Sequence, residues 1–118
     1  MFFTRIHPDL KYNELTEWFI KEYEKVYNEP ITKIEYKVMS IFDSILVIAD
    51  AIERAQSLEG GKIIEALKTT KLKVAGGVVE FGGDEYIGTV LYHQNINPTM
   101  LICQFDKNRK PVIIKKVP

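Results

Sequence analysis

Two histidines, one cysteine and sixteen carboxylates are the residues of this chain with chemistry to offer. His7 and His93 share no motif, and His93 closes an apolar run as Tyr92-His93-Gln94, so a surface or hydrogen-bonding role is expected ahead of metal ligation. Cys103 is the single cysteine. It excludes an internal disulfide and a multi-cysteine zinc cage, and its apolar neighbours predict a buried thiol. No Gly-x-Ser-x-Gly elbow is present, so nucleophilic catalysis has no support. Asp43 and Asp50 stand seven apart on one helix face, the arrangement of a paired-carboxylate site. Arg54, four residues after Asp50, points instead to an intrahelical ion pair. Gly60-Gly61-Lys62 opens a helix as a phosphate loop does, but Gln56 stands where that signature needs Gly and Ile63 where it needs Ser or Thr.

One candidate site remains. Tyr36, Met39 and Ser40 fall in the first turns of the central helix, where outward-pointing amides favour an anionic group such as a carboxylate by up to about 1 kcal/mol. They are the candidate ligand-binding residues; the ordinary alternative is a capped helix start with no ligand. No catalytic residue, metal ligand or cofactor is implied.

The element that must position these residues runs from about residue 33 to 56. Val38, Ile41, Phe42, Ile45, Leu46, Ile48, Ala49 and Ile52 recur at helical spacing, and Ile45 to Ala49 are all apolar, so this helix calls for cover on nearly every side. Ahead of it, Asn13 is a plausible N-cap for a helix whose apolar face is Leu15, Trp18, Phe19, Tyr23 and Val26 and which ends near Asn28, before Pro30. Phe2 and Phe3 read as the end of a strand. After a break at Ser57-Leu58-Glu59-Gly60-Gly61, residues 62–68 form a third helix with Ile63, Ile64 and Leu67 inward.

From Val74 the period changes to two. Residues 76–81 and 86–92 read as a hairpin joined through Gly82-Gly83-Asp84-Glu85, with positive φ expected in that connection, and residues 100–105 and 111–114 as a second pair. The expected fold class is α/β, three helices followed by four mostly antiparallel strands, in one unit over 1–118: a helical part at 12–72 and a strand part at 74–117.

Composition narrows the function classes. Sixteen basic residues against sixteen acidic leave no net field to hold a polyanion, so no nucleic-acid partner is expected. No run of about 18 apolar residues could span a bilayer as a helix, and Met1-Phe2-Phe3-Thr4-Arg5 is too short for the hydrophobic part of a signal peptide. As written, the chain carries no targeting signal.

Several stretches resemble, in order, the type I periplasmic solute-binding proteins of the branched-chain amino acid and amide class. Residues 17–30 are similar to that family's "F-x-x-x-Y-x-x-x-Y-G-x-x-P" helix, Phe42-Asp43-Ser44 to its Tyr-Asp-Ala, and residues 51–58 to "A-I-E-x-A-G-S-L". Lys62 to Leu67 resembles the next helix, Gly77 to Phe81 the "G-x-v-x-F" strand, and Tyr92-His93-Gln94 with residues 104–114 the closing strands. The departures are Phe42 for Tyr, Asn28 and Gln56 for glycines, and Asn108-Arg109 for a turn glycine.

The resemblance implies the C-terminal third of a two-lobed ABC-transporter receptor, working with an ABC permease in the periplasm or at the cell surface and performing no chemistry. Its solute would be a branched-chain amino acid, an amide or a related small polar molecule, with Tyr36, Met39 and Ser40 on one wall of the cleft. The helix left without its sheet then predicts a homo-oligomer. A freestanding small α/β regulatory or assembly module, acting by self-association, is the alternative.

Overall fold

Asn13 sets the start of the first helix. In the computed structural model, which describes residues 1–4, 11–31, 36–98 and 100–117, its side chain accepts the amides of Leu15 and Thr16 while the Thr16 hydroxyl accepts the Asn13 amide, a reciprocal cap. Helix α1 spans Glu14–Tyr27 and stops at Asn28, which takes a left-handed conformation (φ 50°). Helix α2 spans Tyr36–Ala55 and α3 spans Gly60–Lys68. His7 and the first part of the expected central helix, 33–35, lie outside the described residues. No described helix is long and apolar enough to cross a membrane.

Five short strands accompany the helices. β1 (Phe2–Thr4) pairs antiparallel with β4 (Met100–Phe105), which pairs antiparallel with β5 (Pro111–Val117), giving the order β1-β4-β5 with an irregularity between Ile102 and Cys103. β2 (Lys71–Val74) and β3 (Gly77–Glu80) form a separate antiparallel hairpin around Ala75-Gly76. The helices-then-strands α/β order is as expected, with one strand ahead of them at the start.

The first expected hairpin forms differently. Its partner strand is Lys71–Val74, upstream, and residues 86–92 make a 3-10 turn (Asp84–Tyr86) followed by further turns. Gly88 adopts φ 84°, and Thr89 donates its amide to the Tyr86 carbonyl, so the backbone curls where an extended strand was expected. The curled segment returns onto Gly82, whose carbonyl accepts the His93 amide at 2.7 Å. A Cβ on Gly82 would lie 2.2 Å from the Leu91 carbonyl oxygen, so only glycine admits this approach. The positive φ expected at Gly82-Gly83-Asp84-Glu85 falls instead at Gly77, Gly88 and His93.

The core is thin. Phe19, Ile31, Met39 and Ala75 form its main cluster, with Leu15, Ile20 and Phe42 packed against it. Trp18 and Val26, expected on the inward face of α1, are exposed, as is Ile64 on α3. Thr16 is buried in their place, because its hydroxyl reaches the β2–β3 turn. The radius of gyration is 16.3 Å. A compact chain of this length has about 13.5 Å, so the molecule is spread rather than rounded. The expectation that α2 is covered on nearly every side is not met within this chain: Ile41, Ile45 and Ile48 face outward.

Candidate functional site

Helix α2 presents Met39, Ser40, Asp43, Ser44 and Val47 along one side because these positions recur every three or four residues. They form one wall of an open cleft of ≈ 310 Å³. The opposite wall is Leu67 from α3, Gly76 and Val79 at the β2–β3 hairpin, and Phe81 with Asn95 beyond it. Most of this lining is apolar, with Ser40, Ser44, Asp43 and Asn95 as the polar groups.

The side chains of Asp43, Ser44 and Asn95 already have work within the fold. Asp43 accepts the Ala75 amide on Oδ1 and the Gly76 amide on Oδ2, both at 2.9 Å, so its carboxylate clamps the hairpin turn to α2. Asn95 Oδ1 accepts the amides of Glu80 and Asn97. The Ser44 hydroxyl donates to the Ser40 carbonyl at 2.7 Å. From the other side, the Thr16 hydroxyl donates to the Ala75 carbonyl at 2.6 Å and the Asn13 amide group donates to the Val74 carbonyl at 2.9 Å. The turn is therefore held by two helices at once.

Of the expected ligand-binding residues, Met39 and Ser40 meet in this cleft. Met39 is 3% exposed and is shared between the cleft floor and the core. Tyr36 begins α2, and its side chain lies outside the described residues. Asp43 and Asp50 do not act as a carboxylate pair: Asp50 bonds Arg54 at 2.8 Å, as the spacing implied. Arg54 also donates to the Ala66 carbonyl and to the Thr69 and Thr70 hydroxyls, fastening the end of α3 to α2. The sequence reading missed the Asp43 clamp, for which the Ala-Gly-Gly turn after an alternating Lys-Leu-Lys-Val run was the available signal.

The remaining candidates hold structural places. His93 stacks on Tyr92 with ring centroids 3.8 Å apart. Cys103 is buried in β4, and that burial raises its thiol above the ordinary value. Lys68 is held above its usual range by the hydrogen bonds its ammonium donates to Glu65 and Asp84, and Glu14 below its usual range by its bond with Lys73. Among the described residues no group of three or more His, Cys, Asp or Glu side chains could hold a metal ion.

This arrangement, three helices with short antiparallel strands, is a piece of the type I periplasmic-binding-protein fold. A leucine-binding protein, LivK, from Thermotoga maritima matches with a TM-score of 0.71 and 22% identity, over 98% of this chain and 30% of that one. An ABC-type branched-chain amino acid transporter from Rhodopseudomonas palustris matches with a TM-score of 0.73 and 19% identity, over 98% of this chain and 29% of that one. At these identities the likeness is one of fold, and the chain spans under a third of either structure. No protein-family model matches the chain, and no curated protein matches it in sequence.

Proposed function

We propose that this chain is the C-terminal portion of an ABC-transporter solute-binding protein for branched-chain amino acids, amides or related small polar solutes, without catalytic activity. The carrying observation is that nearly all of the chain follows the fold of two proteins described as leucine-binding and as a branched-chain amino acid transporter. In a whole receptor of this kind, two lobes close around the solute, and binding works by favouring the closed arrangement. The closed form then delivers its cargo to an ABC permease, in the periplasm or at the cell surface.

Tyr36, Met39 and Ser40 contribute to one wall in this reading, and most direct solute contacts come from sequence outside these 118 residues. The 118-residue chain by itself is therefore a poor binder. Titration calorimetry of the chain with leucine, isoleucine, valine and simple amides is expected to show no saturable heat. The coding DNA upstream of Met1 supplies the positive arm: any in-frame lobes encoded there, expressed together with this chain, are expected to restore binding. Tight binding by the isolated chain, or no binding by the joined product, overturns the proposal.

A further inference from the structure

The basic residues of this chain are unevenly placed. Five of the sixteen fall in residues 100–118, against one of the sixteen acidic residues, so this region is strongly positive although the whole chain is neutral. Lys107, Arg109 and Lys110 lie in the β4–β5 connection, and Lys115 and Lys116 on β5. Upstream, most cations are neutralised by a neighbour: Lys11 by Glu17, Lys62 by Glu59, Lys68 by Glu65 and Asp84, Lys71 by Glu80 and Lys73 by Glu14. In the hairpin Lys116 lies over the Tyr12 ring, 5.3 Å from its centre. Lys107, Arg109, Lys110 and Lys115 are exposed, and among the described residues none of them has a carboxylate within ion-pair distance.

Asp106 is the one acid here, and the turn itself uses it. Its Oδ1 accepts the Asn108 amide at 2.8 Å and the Lys110 amide at 2.9 Å, while its own amide donates to the Lys110 carbonyl. The left-handed conformation of Arg109 (φ 60°) completes the bend. The connection is therefore a fixed tip, and residues 107–112 are exposed without interruption. Lys115 stands opposite Ile102, on the side of the sheet away from the buried Leu101, about 17 Å along the strand from Lys110.

We propose that this hairpin adsorbs the protein to an anionic lipid surface, with its four unpaired cations against headgroup phosphates. A cation calls for no shelter from water, so the patch does not depend on what covers the apolar faces of the chain. Charge on an exposed tip suits a fluid layer of headgroups, which moulds itself around a convex shape, whereas a folded acidic partner would need a matching hollow. Each lysine or arginine near such a surface strengthens adsorption roughly fivefold, and salt screens the attraction over about 10 Å. Four together hold the chain weakly and reversibly. The patch shares no residue with the α2 cleft and its test needs no solute, so its failure leaves the solute reading standing.

The chain is sedimented with vesicles of phosphatidylglycerol or of phosphatidylcholine. It should travel with the first at low salt, be released as salt rises, and stay in solution with the second. Lys107→Gln, Arg109→Gln and Lys110→Gln together should weaken the adsorption about 100-fold. Lys21→Gln, Lys25→Gln and Lys62→Gln, which remove the same charge elsewhere, should leave it within about fivefold. Should the hairpin triple variant unfold, Lys115→Glu carries the test with a roughly 25-fold loss. Equal sedimentation with both lipids, the mark of an apolar contact, overturns the proposal, as does an equal loss in the two triple variants. A chain that stays in solution with both lipids overturns it too, and retention on polyglutamate would then give the patch to an acidic protein. If joining the chain to any lobes encoded upstream abolishes the adsorption, the cations are neutralised inside the receptor and the proposal fails.

Discussion

The Thr16 hydroxyl donates to the Ala75 carbonyl at 2.6 Å, joining the first turn of α1 to a turn 59 positions downstream, and both residues are buried. The same oxygen accepts the Tyr12 and Asn13 amides. Replacing it by Thr16→Val keeps the shape but strands the Ala75 carbonyl, which costs about 1–3 kcal/mol. The midpoint of urea unfolding should fall accordingly, and Thr16→Ser should recover most of the loss.

Asp43 and Gly76 form a second coupled pair. A Cβ on Gly76 would come within 2.7 Å of Asp43 Oδ2, so Gly76→Ala must displace the carboxylate that clamps the turn. Asp43→Ala and Gly76→Ala are each expected to destabilise, and their combination to cost less than the sum by about 0.5–3 kcal/mol. Strict additivity in a double-mutant cycle of unfolding free energies would count against the clamp.

Three departures from the resembled family pattern now have a backbone explanation. Asn28 (φ 50°), Gln56 (φ 50°) and Arg109 (φ 60°) all adopt the left-handed conformation, and each stands where or beside where that pattern has glycine. Asn adopts it at little cost, whereas for Gln the strain is larger. Gln56→Gly should therefore stabilise the chain by about 0.5–1 kcal/mol in thermal or urea unfolding, despite losing the side-chain bond to the Glu53 carbonyl.

Glu14 gives a directional pH dependence. Its bond with Lys73 lowers its pKa from the ordinary 4.5, so the folded state holds this carboxylate ionised longer than the unfolded state does. The stabilisation is complete above 4.5 and is lost as pH falls through the lowered folded value. Glu14→Gln should flatten that acid limb of a stability–pH profile and leave the slope near neutrality unchanged.

Helices were legible in the sequence wherever capping and apolar spacing agreed. Asn13 and Asn28 bracket α1 as read, and the apolar run of α2 marks its extent. The strands were less so. Tyr86 to Tyr92 is rich in strand-forming residues, yet Val90 is 90% exposed, because the close packing around Gly82 decides the path and composition alone cannot register it. Lys71–Val74, a two-lysine stretch, was passed over although it supplies the partner of β3. Of the candidate site, Met39 and Ser40 could be placed on α2, but Asp43's opposite number lies 32 positions on, and the Ala75-Gly76-Gly77 turn marks a tight bend without saying which side chain clamps it.

The pairing of Phe2 with Cys103 and of Thr4 with Leu101 has a consequence for biosynthesis. β1 is made about a hundred positions ahead of β4, the strand it pairs with here, while the hairpin and the helix caps can assemble from shorter lengths. Until β4 is made, β1 lacks the ladder that pairs it here, so this contact closes late in synthesis and its loss should be the first step when the β1-β4-β5 sheet opens.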